Sequence, residues 1–235
     1  MSEPSDPDNK PEVTARQSTV SNAIVLAIFA LVSVSLTAIT WVATQDRIQS
    51  EKEAALLRAI AHLIPSDAFS NDPYTDCTMI TDSQLLGSTE PQQVWRLRDG
   101  DNAPVGLIIS SVAPNGYTGP IEFIAGFRAN QSYGDTLAGV RVTAHQETPG
   151  LGDKIDERKS DWIYTLNDHN VAEITLPKWQ VKKDGGEFDG FTGATITPRA
   201  LLAAVTKTTE YYLNNRDALF AAPSNCNETE ATNGD

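Results

Sequence analysis

Cysteine is scarce in this sequence: Cys77 and Cys226 are the only two in 235 residues. That is too few for a disulfide framework or a thiolate metal site, and enough for one bridge at most. The three histidines, His62, His145 and His169, show no metal-ligand spacing, which argues against zinc. No Gly-x-x-x-x-Gly-Lys loop occurs, and no Gly-x-Gly-x-x-Gly lies between a strand and a helix, so the usual nucleotide signatures are missing. A serine nucleophile elbow is missing as well. Positive charge is short: 18 basic residues stand against 31 acidic ones, a net charge of -13. Phosphate backbones are repelled by such a surface, which argues against nucleic acid as a partner.

What is present describes a globular protein with an appendage. Hydrophobic residues make up 40% and charged ones 21%, enough to bury a core, and the length suits one domain of ordinary size plus an attachment. Val20 to Ala43 is apolar except at Ser21, Asn22, Ser33, Ser35, Thr37 and Thr40. As a helix rising 1.5 Å per residue this stretch covers about 36 Å, enough for a hydrocarbon layer of about 30 Å. Trp41 near its far end suits a membrane interface. A cleaved signal peptide is the other reading. Its apolar region is usually about 7 to 15 residues behind a basic leader, whereas here Glu3, Asp6, Asp8 and Glu12 accompany only Lys10 and Arg16. Lys10 and Arg16 before the span are matched by Arg47, Lys52 and Arg58 after it, so the positive-inside rule leaves the orientation open. The expected organisation is an N-terminal tail (1–19), a transmembrane helix (20–43), a folded domain (44–222) and a mobile C-terminal tail (223–235).

Within the domain, Ile48, Leu56, Leu57, Ile60, Leu63 and Ile64 recur at helical spacing before Pro65, which predicts an amphipathic helix over 47–64. It either continues from the span or is the domain's own first helix. Val94–Leu97, Val105–Val112, Ile121–Phe127 and Leu137–Ala144 read as strands separated by turn signals. Pro114-Asn115-Gly116 and Gly119-Pro120 place an enlarged hairpin turn between the second and third of these. The sheet is therefore expected to be antiparallel, with a final helix over Arg199–Leu213 packed on it through Leu201, Leu202, Val205, Thr209 and Tyr212. The fold class is α+β. Asn130-Gln131-Ser132 and Asn227-Glu228-Thr229 match a glycosylation acceptor pattern, but so short a pattern recurs by chance and carries no weight.

Two segments carry candidate chemistry. Asp184 to Arg199 reads DGGEFDGFTGATITPR, with Thr197 as a capping residue and Pro198 as a first helical position. Thr192-Gly193-Ala194-Thr195 is then a turn of small residues entering a helix N-terminus, where free amides and the helix dipole favour a phosphate. The plainer reading is a strand-to-helix turn. His145 to Gly152 follows a predicted strand, and its proline and glycines make a tight turn with uncovered amides. It either lines a pocket or is only a turn.

Taken together, these segments resemble the G subunit of the Rnf (also called Rsx) electron transport complex. The resemblance rests on QVWR at Gln93 to Arg96, the stretch from Val112 through PNGYTG, GVRVTAHQETPGLGDKI from Gly139 to Ile155, KSDW from Lys159 to Trp162, and VKKDGGEFDGFTGATITPRA from Val181 to Ala200. It spans most of the chain from about Val20 to Phe220. The resemblance implies a periplasmic FMN-binding domain behind a cytoplasmic tail and an inner-membrane helix, with FMN esterified through its phosphate to Thr195. It further implies that Thr192, Gly193, Ala194, Glu147, Thr148, Leu151 and Gly152 contact the cofactor. Asp189 would belong to the sequence read by a flavin transferase that delivers FMN from FAD. Two positions depart mildly from the family pattern: Thr192 stands where serine is usual, and Gln146 where lysine is common.

The implied role is an electron-carrying subunit coupling redox chemistry between ferredoxin and NAD to ion translocation, without independent substrate turnover. Its partners would be the other subunits of the complex, the transferase and membrane lipid. Readings that compete are the C subunit of the sodium-translocating NADH:quinone reductase, which carries FMN in a similar domain, and a cofactor-free tethered scaffold or sensor. The Pro198-Arg199 continuation and KSDW favour the first family. Trp162, Trp179 and Phe191 could flank the flavin, but large aromatics usually belong to cores. In an oxidising periplasm, Cys77 and Cys226 either bridge and tie down the tail or leave Cys77 free and buried.

Overall fold

The computed structural model describes residues 15–129 and 134–226. The remainder of the two expected tails and both glycosylation patterns lie outside the described residues. The chain divides into two compact units, Met1–Ala55 and Leu56–Asp235.

Helix α1, Ala15–Leu63, runs without interruption, so the amphipathic segment after the span continues it rather than starting anew. Asn22–Gln45 is the candidate membrane span, 24 residues with a mean hydropathy of 2.5 and no share of it buried in the protein. Leu26, Phe29, Leu31 and Trp41 are all exposed. A core helix of a soluble domain buries such residues, so this one requires an apolar surrounding. The helix ends just ahead of Pro65, which restricts the residue before it to extended conformations.

The second unit is built on an antiparallel sheet whose strands follow chain order: β1 (Cys77–Ile80), β2 (Gln92–Arg98), β3 (Pro104–Ala113), β4 (Ile121–Arg128), β5 (Thr136–Ala144) and β6 (His169–Asn170). The four expected strands are β2 to β5, each found slightly longer. The expected hairpin joins β3 to β4, with Ala113 opposite Ile121. Because side chains alternate along a strand, the sheet presents two apolar faces. Val94, Leu107, Ile109, Phe123, Ala125 and Phe127 pack under helix α2 (Ile196–Ala221), and Trp95, Leu97, Ile108 and Ile124 pack with Ile60, Leu63 and Ile64 from the end of α1. Residues three and four apart share a helix face, which is why Ile60 and Leu63, with Ile64 just past the helix end, meet the sheet together. Each such aliphatic side chain contributes about 1.5–3 kcal/mol when buried.

The mobile-tail expectation needs correction for residues 224–226. The Asn225 amide donates to the Cys77 carbonyl at 3.2 Å, and the Met79 amide donates to Asn225 Oδ1 at 2.7 Å. Cys226 is bridged to Cys77, with Cα atoms 5.7 Å apart. The same strap closes over Arg96, which is 1% exposed. Arg96 Nε donates to Asp76 Oδ1 at 2.5 Å and Nη2 donates to Ser224 Oγ at 2.7 Å. Nη1 donates to the carbonyls of Leu219 and Ala222. Arg98 adds a second cation: it pairs with Asp76 Oδ2 at 2.8 Å and donates to the Phe220 carbonyl at 2.7 Å. Carbonyls at a helix C-terminus lack intrahelical donors and carry partial negative charge, so cations are favoured there.

Two outcomes are expected for the full-length chain in detergent under denaturant. Arg96→Ala removes one of the two cations on Asp76 and leaves the Leu219 and Ala222 carbonyls without this donor, and should cost about 1–3 kcal/mol of stability. Cys226→Ser opens a large loop and should cost about 2–5 kcal/mol. Unfolding midpoints matching wild type would show that the strap does not contribute to the fold.

Candidate functional site

The Thr192–Thr195 segment is held out from the core by the residue before it. Phe191 is buried, its ring edge-on to Trp162 at 5.0 Å between centroids, and Trp162 Nε1 donates to the Asp189 carbonyl at 2.7 Å. The Ala194 amide donates to the Phe191 carbonyl at 3.3 Å, which closes the turn. Gly193 occupies the third position with φ +82°, a conformation that favours glycine in a type II turn. Thr192 and Gly193 are exposed, while Ala194 and Thr195 are half-buried. Trp179 is also buried, against Phe188 at 4.8 Å.

The helix starts earlier than expected. Thr195 flanks α2 as its N-cap, with helical backbone angles and no side-chain capping bond. Thr197 is therefore inside the first turn and is not the cap. Its hydroxyl is buried and donates to Glu147 Oε2 at 2.6 Å. That bond ties the first turn of α2 to the segment after β5.

The segment after β5 meets this turn. Glu147 is buried, 4% exposed. Thr148 is half-buried, and its carbonyl accepts from the Leu151 amide at 3.1 Å. Leu151 remains 41% exposed, and its Cδ2 lies 3.3 Å from where a Cβ at Gly193 would stand. Gly152 is buried where a Cβ would overlap Glu147 Oε2 and come within 2.7 Å of Thr197 Oγ1. The two candidate segments thus form one site. Asp189 is at the surface, its carboxylate 2.7 Å from Lys182 Nζ.

The contacts of the β3–β4 turn were not singled out from sequence. The Thr118 amide donates to Glu147 Oε1 at 3.2 Å, and its hydroxyl donates to the Gln146 carbonyl at 2.5 Å. The pairing joins residues 28 and 29 positions apart, and no local pattern announces it.

The segment's base is fixed electrostatically. The Glu147 amide donates to His145 Nδ1 at 3.1 Å, which leaves the ring proton on Nε2, 3.7 Å from Asp156 Oδ2. Arg158 donates through Nε and Nη2 to both Asp156 oxygens. Those bonds hold the Asp156 carboxyl below the ordinary carboxylate range against the opposing effect of burial.

An FMN-binding domain model matches residues 116–210, and a model described as the RnfG N-terminal region matches residues 10–63. The first match takes in both segments and the Thr118 turn, so the site defines the class: an FMN-binding domain. Curated relatives narrow it further. The chain is 41% identical to the G subunit of an ion-translocating oxidoreductase complex from Pseudoalteromonas atlantica, over 93% of this chain and 100% of that one. It is 42% identical to the corresponding subunit of Vibrio cholerae over 87% of this chain and 95% of that one. For Shewanella amazonensis the identity is 40%, covering 90% and 96%. The chain belongs to this family, the G subunits of ion-translocating oxidoreductase complexes. The crystal structure of Shewanella oneidensis NqrC is similar with a TM-score of 0.40 at 18% identity, covering 67% of this chain and 74% of that one.

The residues present fit FMN. The first-turn amides of α2 have no side-chain cap, the Thr195 hydroxyl is not consumed in capping, and Gly193 lies beside an exposed leucine. A phosphate is matched by the amides and dipole, and the exposed leucine offers an apolar contact for a ring.

Gly152→Ala is expected to push Glu147 and Thr197 apart and to destabilise the full chain by about 1–3 kcal/mol. Asp156 gives an acid-limb signature. A depressed carboxyl contributes stability that is fully present above about pH 4, the unfolded value, and is lost as pH falls through the lower folded value. Asp156→Asn should flatten that part of the stability curve; an unaltered acid limb would remove Asp156 as its source.

Proposed function

We propose that this chain is the electron-carrying subunit of a membrane complex that couples electron transfer, of the ferredoxin and NAD type, to ion translocation, with FMN joined through its phosphate to Thr195. The observation that carries the reading is Thr195 itself: a half-buried hydroxyl without a capping bond at the N-terminus of α2, inside a matched FMN-binding domain. Bound FMN supplies acceptance and release of electrons. The chain's own residues supply position: amides at the α2 N-terminus face the phosphate, while Thr192, Gly193, Ala194, Thr148 and Leu151 border the cofactor.

A covalent link has a physical rationale at so open a place. A helix N-terminus contributes about 0.3–1 kcal/mol to holding an exposed anion, whereas nanomolar retention needs about 12 kcal/mol. An ester removes that requirement and lets the ring stay accessible to neighbouring subunits. Maturation would join the Thr195 oxygen to the FMN phosphorus of FAD as the pyrophosphate bond to AMP breaks, with the hydroxyl proton lost and AMP as the leaving group. The exposed Asp189 carboxylate is available for the transferase to read.

The Cys77–Cys226 bridge supports placing the domain in the periplasm, since disulfides persist in oxidising compartments. Asn22–Gln45 would cross the inner membrane once, leaving the preceding tail in the cytoplasm.

Co-expression of the full chain with a flavin transferase should add the mass of one FMN, retained with its fluorescence after denaturation. Thr195→Ala should lose both signals and fail to support electron flow through the complex. A matured wild-type chain at its bare polypeptide mass would end the covalent reading. Protease added to intact spheroplasts should digest the domain; full protection would place it on the other side.

A further inference from the structure

We infer that Thr118 and Thr197 are positioning residues of the flavin site, acting through the Glu147 carboxylate, which clasps three separate segments into one unit. The inference deepens the reading above and rests on Thr195 as the attachment point.

Glu147 is 4% exposed, and among the described residues it has no cation within ion-pair distance. An ionised carboxylate accepts hydrogen bonds only, and when buried it must find donors or stay costly. Its donors are neutral and come from opposite sides. The Thr197 hydroxyl, from the first turn of α2, reaches Oε2 at 2.6 Å, and the Thr118 amide, from the β3–β4 turn, reaches Oε1 at 3.2 Å. Backbone closes in on each oxygen. A Cβ at Gly152 would overlap Oε2, and a Cβ at Gly116 would stand 2.9 Å from Oε1. The Thr118 hydroxyl adds a second tie to the same segment, donating to the Gln146 carbonyl at 2.5 Å.

The arrangement makes the segments interdependent. Thr118 and Thr197 share no hydrogen bond with each other; Glu147 joins them. Thr197 lies two positions beyond Thr195 on the same turn of helix, so whatever fixes Thr197 fixes how far α2 enters the site. The β3–β4 hairpin thereby acts on the flavin-bearing threonine without touching it. Hydrogen bonds to charged groups are among the stronger ones, and losing one leaves an unsatisfied buried oxygen.

The test uses the full-length chain in detergent, both unloaded and matured with transferase and FAD. In the unloaded chain, Thr197→Val should raise amide hydrogen exchange about tenfold at residues 116–119, which Thr197 does not contact, as well as in the first turn of α2. Thr118→Val keeps the amide bond to Glu147 but removes the hydroxyl tie to the Gln146 carbonyl, and should raise it at residues 146–152. Thr197→Ser and Thr118→Ser keep the hydroxyl and should restore wild-type exchange. In the matured chain, Thr197→Val should change the visible circular dichroism of the bound flavin, and the serine variant should not. If Thr197→Val fails to fold, Glu147→Gln replaces it and should loosen residues 116–119 and 196–199 together.

Exchange that rises only beside the substituted residue, or a flavin spectrum indifferent to Thr197→Val, would overturn the clasp. A wild-type chain that gains no FMN mass would instead overturn the cofactor reading, and the exchange data would still decide the clasp.

Discussion

Helix α2 is secured by charge at both ends, and most of the domain's order follows from that. At its N-terminal end a buried carboxylate receives the Thr197 hydroxyl. At its C-terminal end two arginines take the carbonyls of Leu219, Phe220 and Ala222. Between these ends Leu201, Leu202, Val205, Thr209 and Tyr212 are buried against the sheet. Apolar packing is non-directional; it would tolerate a helix sliding along its axis. Hydrogen bonds to fixed charges would not.

An acidic protein can still depend on buried cations. Arg141 is buried, yet it is met by Glu157 at 2.9 Å, by Asn167 Oδ1 at 3.2 Å and by the face of Tyr164 at 4.7 Å. Burial lowers its affinity for the proton, while Glu157 and Tyr164 act in the opposite sense. Glu157 also lies 3.7 Å from His62 Nδ1 at the end of α1. Arg96 and Asp156 follow the same rule with different partners. The net charge therefore describes the solvated surface, while these buried arginines each meet an acidic partner, because an unpaired ion would cost several kcal/mol; Glu147 differs, held by neutral donors.

The sequence announced what repeats along the chain and was silent on what pairs across it. Short runs rich in branched apolar residues at Val105–Val112 and Ile121–Phe127 mark strands that bury residues on both faces, and α2 shows its inner stripe through Leu201, Leu202 and Val205. Apolar spacing in α2 is visible only as far as Leu213, because Asn214, Asn215 and Arg216 hide it, although the helix runs on to Ala221. Strands β1 and β6 leave no mark in the sequence because they are four and two residues long, too short to show a period. At the site, the small-residue turn and the helix start were legible locally. The bond from Thr197 to Glu147 was not, because its two ends lie 50 positions apart. The resemblance named Glu147, Thr148, Leu151 and Gly152; the structure adds the hairpin threonine behind them.

The bridge between Cys77 and Cys226 makes the intervening backbone a closed ring, with α1 preceding it in the chain. Residue 195 sits on that ring. A single nick by a protease anywhere between the two cysteines converts the ring into two linked arms and liberates neither, so whatever residue 195 carries stays attached to the membrane helix. Damage that would release a segment of a linear chain here leaves it in place until the bridge is reduced.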